Sequence, residues 1–313
     1  MNTSVIPLVI VGNDPVAELL AQRIQQRKDL SLIAQTPLAE QPPADCGCLL
    51  FVPNQADINA GVAETRLLAL LESGFNLVTT LPLNALPREK LLAACRKGST
   101  TFHGTGGFQT SLATRFNRAI ATITRDIEAV QLIEQLQLDA NTLSDQNADN
   151  IQQRAAEQES YYDAGLRMLA EAVFGHQQPD ASITFNAQSA PPPEPLQRNQ
   201  TSQQESDDTD KASDRVIVRR ELGQQVTYDS LWTSNQGVAT SEAAPLRYQL
   251  TTKSKDAVGN VYIDFHSGDG IQPTAQLTCK GLLNAVTAVY NSAPGILHND
   301  LDINYVKSDD RLN

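Results

Sequence analysis

The sequence predicts an α/β protein whose first 110 or so residues form a parallel sheet covered by helices on both faces. Two observations predict it. Short apolar, β-branched runs alternate with helical patterns through the N-terminal third, and such alternation argues for βαβ units. The second half changes texture, and 313 residues exceed what a typical single core holds, so two domains are expected.

Val5–Val11 (VIPLVIV) is near-continuously apolar, as a strand covered on both faces should be. It breaks at Gly12-Asn13-Asp14-Pro15, and helical spacing follows from Val16 to Arg27. Leu30–Ala34 and Cys48–Val52 read as the second and third strands. Ala60–Leu71 reads as a helix stopped by Gly74. Phe75–Val78 is the next strand, Pro87 opens a helix running to about Cys95, and Thr100–His103 is a short strand ending in a glycine loop. Right-handed crossovers gather the loops after these strands at one edge, where ligands bind in open α/β sheets.

Beyond this, Leu112–Ile123 reads as an amphipathic helix, Ile127–Leu138 as a strand rather than a helix, Leu143–Gln158 as polar with helix formers, and Tyr161–Phe174 as a helix. Residues 190–214 contain almost no large apolar side chain and bury too little to offset their ordering entropy, which predicts a mobile loop. Strand-like segments follow at Val216–Leu222, Gln225–Leu231, Leu246–Thr252, Val258–Phe265 and Thr274–Leu277, then a helix over Leu282–Tyr290.

A net charge of −12 repels nucleic-acid backbones and anionic membrane surfaces, and no basic cluster exceeds Arg219-Arg220. No apolar run has the ~20 residues of a membrane helix, and the N-terminus lacks signal-peptide character. A cytoplasmic protein without nucleic-acid or membrane partners is expected. The four cysteines are too few for a disulfide framework, and the Cys46-Gly47-Cys48 spacing fits neither zinc nor thioredoxin chemistry, so no metal is expected and these cysteines read as small buried hydrophobes.

A phosphate cradle wants G-x-G-x-x-G between the first strand and first helix. Here the stretch is Gly12-Asn13-Asp14-Pro15-Val16-Ala17. The first glycine is kept, the last position is an acceptable alanine, and the middle one carries a negative side chain. Asp14 also reads as a helix N-cap preceding a first-turn proline. The acid that usually grips the ribose hydroxyls is missing near Ala34-Gln35-Thr36. That disfavours NAD and leaves NADP open, with Arg23 or Arg27 as distant partners for a 2′-phosphate.

Three segments resemble one family. Glu72–Thr80 (ESGFNLVTT), Phe102–Phe108 (FHGTGGF) and Ala285–Leu297 (AVTAVYNSAPGIL) are similar, in order and spacing, to segments of dihydrodipicolinate-reductase-like proteins, especially the 2,4-diaminopentanoate dehydrogenase and amine dehydrogenase branch. The resemblance implies a Rossmann-type domain over 1–110, an α+β domain over 111–280 whose mixed sheet serves dimerisation, and a helix and tail over 281–313 returning to the first domain. It further implies hydride transfer between NAD(P)H and an imine or amine carbon, on a small amino, imino or oxo compound. Two departures stand against it. Leu81-Pro82-Leu83 replaces the acidic residue those relatives carry after this strand, and the glycine loop lacks their Asn-Pro step. A non-catalytic relative that binds a ligand or protein partner is the alternative.

The candidate catalytic residues are His103, a titratable group at a strand end, and Thr105, a hydroxyl in the glycine loop. The candidate cofactor-binding residues are Gly12, Asn13, Asp14, Val16, Val52, Pro53, Thr79, Thr80, Gly104 and Gly106. NADP or NAD is the expected cofactor, with NADP preferred, and a homodimer or higher homo-oligomer the expected assembly. His103 reads more readily as a packed strand-end histidine, and Thr79 and Thr80 also read as ordinary strand residues.

Overall fold

A computed structural model describes residues 5–81, 86–105, 113, 116–117, 119–120, 122–138, 159–175, 183–189, 215–234, 246–266, 271 and 273–297. The chain divides into two compact units, one comprising residues 1–122, 157–178 and 268–313, the other 123–156 and 179–267.

The first unit is built on a parallel sheet of β1 (Ile6–Val11), β2 (Leu30–Thr36), β3 (Cys48–Phe51), β4 (Leu77–Thr79), β5 (Thr101–Gly104) and the two-residue β12 (Gly295–Ile296). Their order is β12-β5-β4-β3-β1-β2. Alternation along each strand sends side chains to two cores. Leu8, Ile10, Leu50 and Val78 pack with Leu20 and Ile24 of α1 (Val16–Gln25) and with Leu282, Val286 and Val289 of α6 (Pro273–Asn291). Val9, Val11, Phe51, Leu77 and Phe102 pack instead with Leu67 and Leu70 of α3 (Val62–Glu72) and with Leu91 and Cys95 of α4 (Arg88–Gly98). A short α2 (Gln55–Asn59) precedes α3, with the Asn54 side chain accepting from the Asp57 N–H. The unit also contains α5 (Glu159–Phe174). All four cysteines are free thiols, and Cys48, Cys95 and Cys279 are buried.

Two segments near the C-terminus differ from the sequence reading. Thr274–Leu277, expected to be strand-like, forms the first turn of α6, and the helix there starts nine residues earlier than expected. Ala275, Cys279, Leu282, Val286 and Val289 continue one helical stripe onto α1 and the sheet. Burial of that stripe overrides the local preference of a short Thr-Ala-Gln-Leu run. Gly295–Ile296, unpredicted, adds to the sheet edge beside β5.

The second unit is a mixed six-stranded sheet of order β11-β10-β6-β9-β8-β7. Its strands are β6 (Ile127–Leu138), β7 (Ile183–Ser189), β8 (Arg215–Leu222), β9 (Val226–Ser234), β10 (Leu246–Ser254) and β11 (Val258–Phe265). β6 pairs parallel with β9, and the other neighbours pair antiparallel. The strand expected over Ile127–Leu138 is present; β7 was not foreseen. One face carries Val130, Leu132, Tyr228, Trp232, Leu246 and Leu250, all buried, and with them the polar Glu134, Arg220 and Ser230. Leu143–Gln158 and the loop 190–214 lie outside the described residues, as does most of Leu112–Ile123.

Candidate functional site

Because the first sheet is parallel, the C-terminal ends of β1, β3, β4 and β5 lie side by side at one edge. β2 pairs on one side of β1 and β3, reached next, on the other, so the crevice between the ends of β1 and β3 is a topological switch point. The Gly12 turn sits there. Gly12 has φ +125, its N–H donates to the Thr36 carbonyl at 3.0 Å, and a Cβ at this position would stand 2.2 Å from the Val52 carbonyl oxygen. Only glycine fits that conformation and that approach. Val52 and Pro53 are buried behind the turn, whereas Asn13 is exposed.

Asp14 closes the turn onto α1. Its Oδ1 accepts the Val16 N–H at 2.8 Å, and its main-chain carbonyl accepts the Ala17 N–H at 2.8 Å. The N-cap position itself is Pro15, one residue later than anticipated, and Asp14 reaches the first N–H of α1 from the residue before it. Burial pushes the Asp14 carboxyl above its ordinary value, and the Val16 N–H opposes this more weakly.

Beside this turn, the ends of β4 and β5 are tied together. Both the N–H and the hydroxyl of Thr105 donate to the Thr79 carbonyl, at 2.9 and 3.1 Å. The Thr79 hydroxyl accepts the Leu81 N–H at 3.3 Å. Thr80 follows, half-buried. His103 is 1% exposed and its Nδ1 lies 3.0 Å from the Leu297 carbonyl, so Nδ1 carries a proton and donates it there. Gly104 is buried at the end of β5, and Gly106 lies outside the described residues. The structure thus gathers the candidates in two adjoining groups: Gly12, Asp14, Val16, Val52 and Pro53 around β1 and β3, and Thr79, Thr80, His103, Gly104 and Thr105 around β4 and β5.

The sequence reading passed over Thr36 except as the place where an acid is missing. Its Oγ1 is buried at the end of β2 and has no hydrogen-bond partner among the described residues. Its position, at the strand end beside Gly12, is where a dinucleotide's ribose hydroxyls are recognised in this architecture. A hydroxyl short of a partner beside an absent acid was a signal available in the sequence only once the register of β2 was known. Arg27 is buried and its guanidinium forks onto the Asp29 carboxylate, while Arg23 reaches Gln26 at 3.2 Å.

The backbone of this edge fits a dinucleotide: the Gly12 turn supplies the tight approach, α1 supplies an N-terminus, and Thr36 supplies a hydroxyl without a partner among the described residues. Among the described residues Asp14 is the group at odds with it. Two like charges about 4 Å apart near a protein surface repel by about 4 kcal/mol, roughly three orders of magnitude in affinity. Among the described residues no cluster of His, Cys, Asp and Glu is arranged to hold a metal. No helix among them is long and apolar enough to cross a membrane.

No family model matches the sequence, and no curated protein matches it. Solved structures do. An amine dehydrogenase from Mycobacterium smegmatis is similar over 96% of this chain and 97% of its own, at 14% identity and a TM-score of 0.60. A probable dehydrogenase from Thermotoga maritima is similar over 93% and 90%, at 9% identity and a TM-score of 0.52. A myo-inositol dehydrogenase from Corynebacterium glutamicum is similar over 93% and 90%, at 13% identity and a TM-score of 0.50. At these identities the likeness is one of fold. The chain has the α/β fold of Rossmann-type dehydrogenases along nearly its whole length, in keeping with the amine-dehydrogenase-like resemblance of its three sequence segments.

Proposed function

We propose that the protein is an NAD(P)H-dependent oxidoreductase acting on a small amino, imino or oxo compound, in the manner of dihydrodipicolinate-reductase-like enzymes. The observation that carries the reading is the Gly12 turn, pressed against Val52 at the switch point of a sheet whose fold is similar to that of an amine dehydrogenase. Gly12, Val16, Val52 and Pro53 would hold the diphosphate side of the cofactor, Thr36 the ribose, and Thr79, Thr80 and Gly104 the nicotinamide side, with the bound cofactor supplying the hydride. On this reading Thr105 keeps the β4 and β5 ends at one spacing through the Thr79 carbonyl. His103, locked onto Leu297, orients the end of β5, and any proton it exchanges would pass through Nε2. NADP is favoured over NAD by the absence of an acid at Thr36. A cytoplasmic homo-oligomer joined through the second unit's sheet belongs to the same reading.

The test is calorimetric titration and thermal melting of nucleotide-free protein with NADPH, NADH and NADP⁺ in turn. Saturable binding of one of them, with stabilisation that grows as ligand exceeds its dissociation constant, supports the reading. A flat response to all three at millimolar concentration, in the protein and in Asp14→Asn alike, rejects it. The second reading, a relative that binds a ligand or partner without transferring hydride, is favoured by one specific observation: the Asp14 carboxylate already accepts the Val16 N–H.

A further inference from the structure

On the reading of this edge as a dinucleotide site, we propose that Asp14 is an internal competitor of the cofactor's diphosphate and sets which ligands the crevice accepts. The carboxylate already does at Val16 what a phosphate oxygen does at a helix N-terminus, accepting a first-turn N–H at 2.8 Å. It stands where the motif's second glycine would let backbone and diphosphate meet. The surroundings remain shaped for a nucleotide: Gly12 keeps the turn that any Cβ would block, and the buried Thr36 hydroxyl has no partner among the described residues. Negative charge therefore lies in the path of the diphosphate, whereas the ribosyl part meets a neutral hydroxyl. Uncharged nucleoside moieties are tolerated, and a diphosphate must face or displace Asp14.

Two substitutions separate charge from structure. D14N keeps an acceptor for the Val16 N–H and removes the charge. D14G removes both and completes the second glycine of the motif. The experiment is isothermal titration of the full-length protein and both variants with NADPH, and separately with adenosine, at low ionic strength. The expected result is NADPH binding at least ~10-fold tighter in D14N and D14G than in the unsubstituted protein, with adenosine affinity within about twofold across all three. Should D14G fail to fold, D14N alone carries the test, because its acceptor for the Val16 N–H is retained. NADPH binding in D14N within about twofold of a measurable unsubstituted value overturns the competition and leaves the dinucleotide reading standing. An equal gain for adenosine also overturns it, since no diphosphate is then involved. The absence of saturable NADPH binding in all three proteins at millimolar ligand overturns both the inference and the reading it rests on.

Discussion

Gly12 approaches the Val52 carbonyl so closely that a methyl group at its Cα would lie 2.2 Å from the oxygen, with φ held at +125. The contact locks the end of β1 against the residue that follows β3, and it spaces the crevice between them. Its N–H is spoken for as well, donating to the Thr36 carbonyl of β2. Three strand ends thus meet at one residue without a side chain.

Gly12→Ala is expected to destabilise the protein by at least about 2 kcal/mol, combining backbone strain with a clash against main chain that cannot rotate away. Urea denaturation of the variant checks this. A change smaller than about 0.5 kcal/mol, the range of an ordinary surface substitution, would show that the turn relaxes without cost.

Removing the Asp14 carboxylate from the start of α1 has a separate and smaller effect on stability. Asp14→Ala leaves the Val16 N–H without its acceptor and is expected to cost about 1 kcal/mol, while Asp14→Asn costs only a few tenths. Thermal melts of the two variants side by side measure the difference. Equal melting temperatures would mean that the 2.8 Å contact contributes nothing to folding.

Buried Glu134 makes stability depend on pH. On the second unit's sheet its carboxyl accepts the Tyr248 hydroxyl at 2.6 Å. Burial pushes it above the ordinary carboxylate value, with Tyr248, Tyr228 and Arg220 pulling less strongly the other way. A folded carboxyl with a raised pKa binds its proton more tightly than the unfolded chain does. Its contribution is therefore full below the unfolded value of about 4.3 and is lost as pH rises through the folded value. Denaturation series across acid to neutral pH should show that decline in the native protein and a shallower one in Glu134→Gln. Parallel slopes would remove Glu134 as its source.

Thr36 offers a test of cofactor choice. Thr36→Val removes a buried hydroxyl that has no partner among the described residues, so folding should be unharmed or slightly improved, by up to about 1 kcal/mol. Nucleotide affinity should fall by roughly the worth of one hydrogen bond, about fivefold. Thr36→Asp should favour NADH over NADPH by repelling a 2′-phosphate. Unchanged titrations in both variants would place the ribose elsewhere.

His103 is the clearest case of a residue whose chemistry and packing readings diverge. His103→Ala deletes a side chain that is 1% exposed, together with its bond to Leu297, and is expected to cost about 2–4 kcal/mol. His103→Asn keeps a donor near the same carbonyl and should recover part of that loss. A His103→Asn variant as unstable as His103→Ala would show that volume, rather than the bond to Leu297, is what matters.

The alternation of apolar runs and helical stripes determined β1 to β5 and α1, α3 and α4 of the first unit, because a strand covered on both faces has little freedom to be anything but continuously apolar. Ile6–Val11 and Cys48–Phe51 are of this kind, and Asp14-Pro15 announced the start of α1 by itself. Where a segment's state depended on what packs against it, the sequence was silent or misleading. Thr274–Leu277 joined α6 because the helix's apolar stripe reaches α1, a contact spanning more than two hundred and fifty residues of chain, as the Cys279 thiol beside the Val16 carbonyl marks. The Thr105 tie to Thr79 and the locking of His103 onto Leu297 were equally invisible. Each needs a partner brought close by strand register or by the returning C-terminal segment. Local composition determines what a residue is able to do, whereas hydrogen-bond partners are assigned only when burial of distant apolar faces sets the distances.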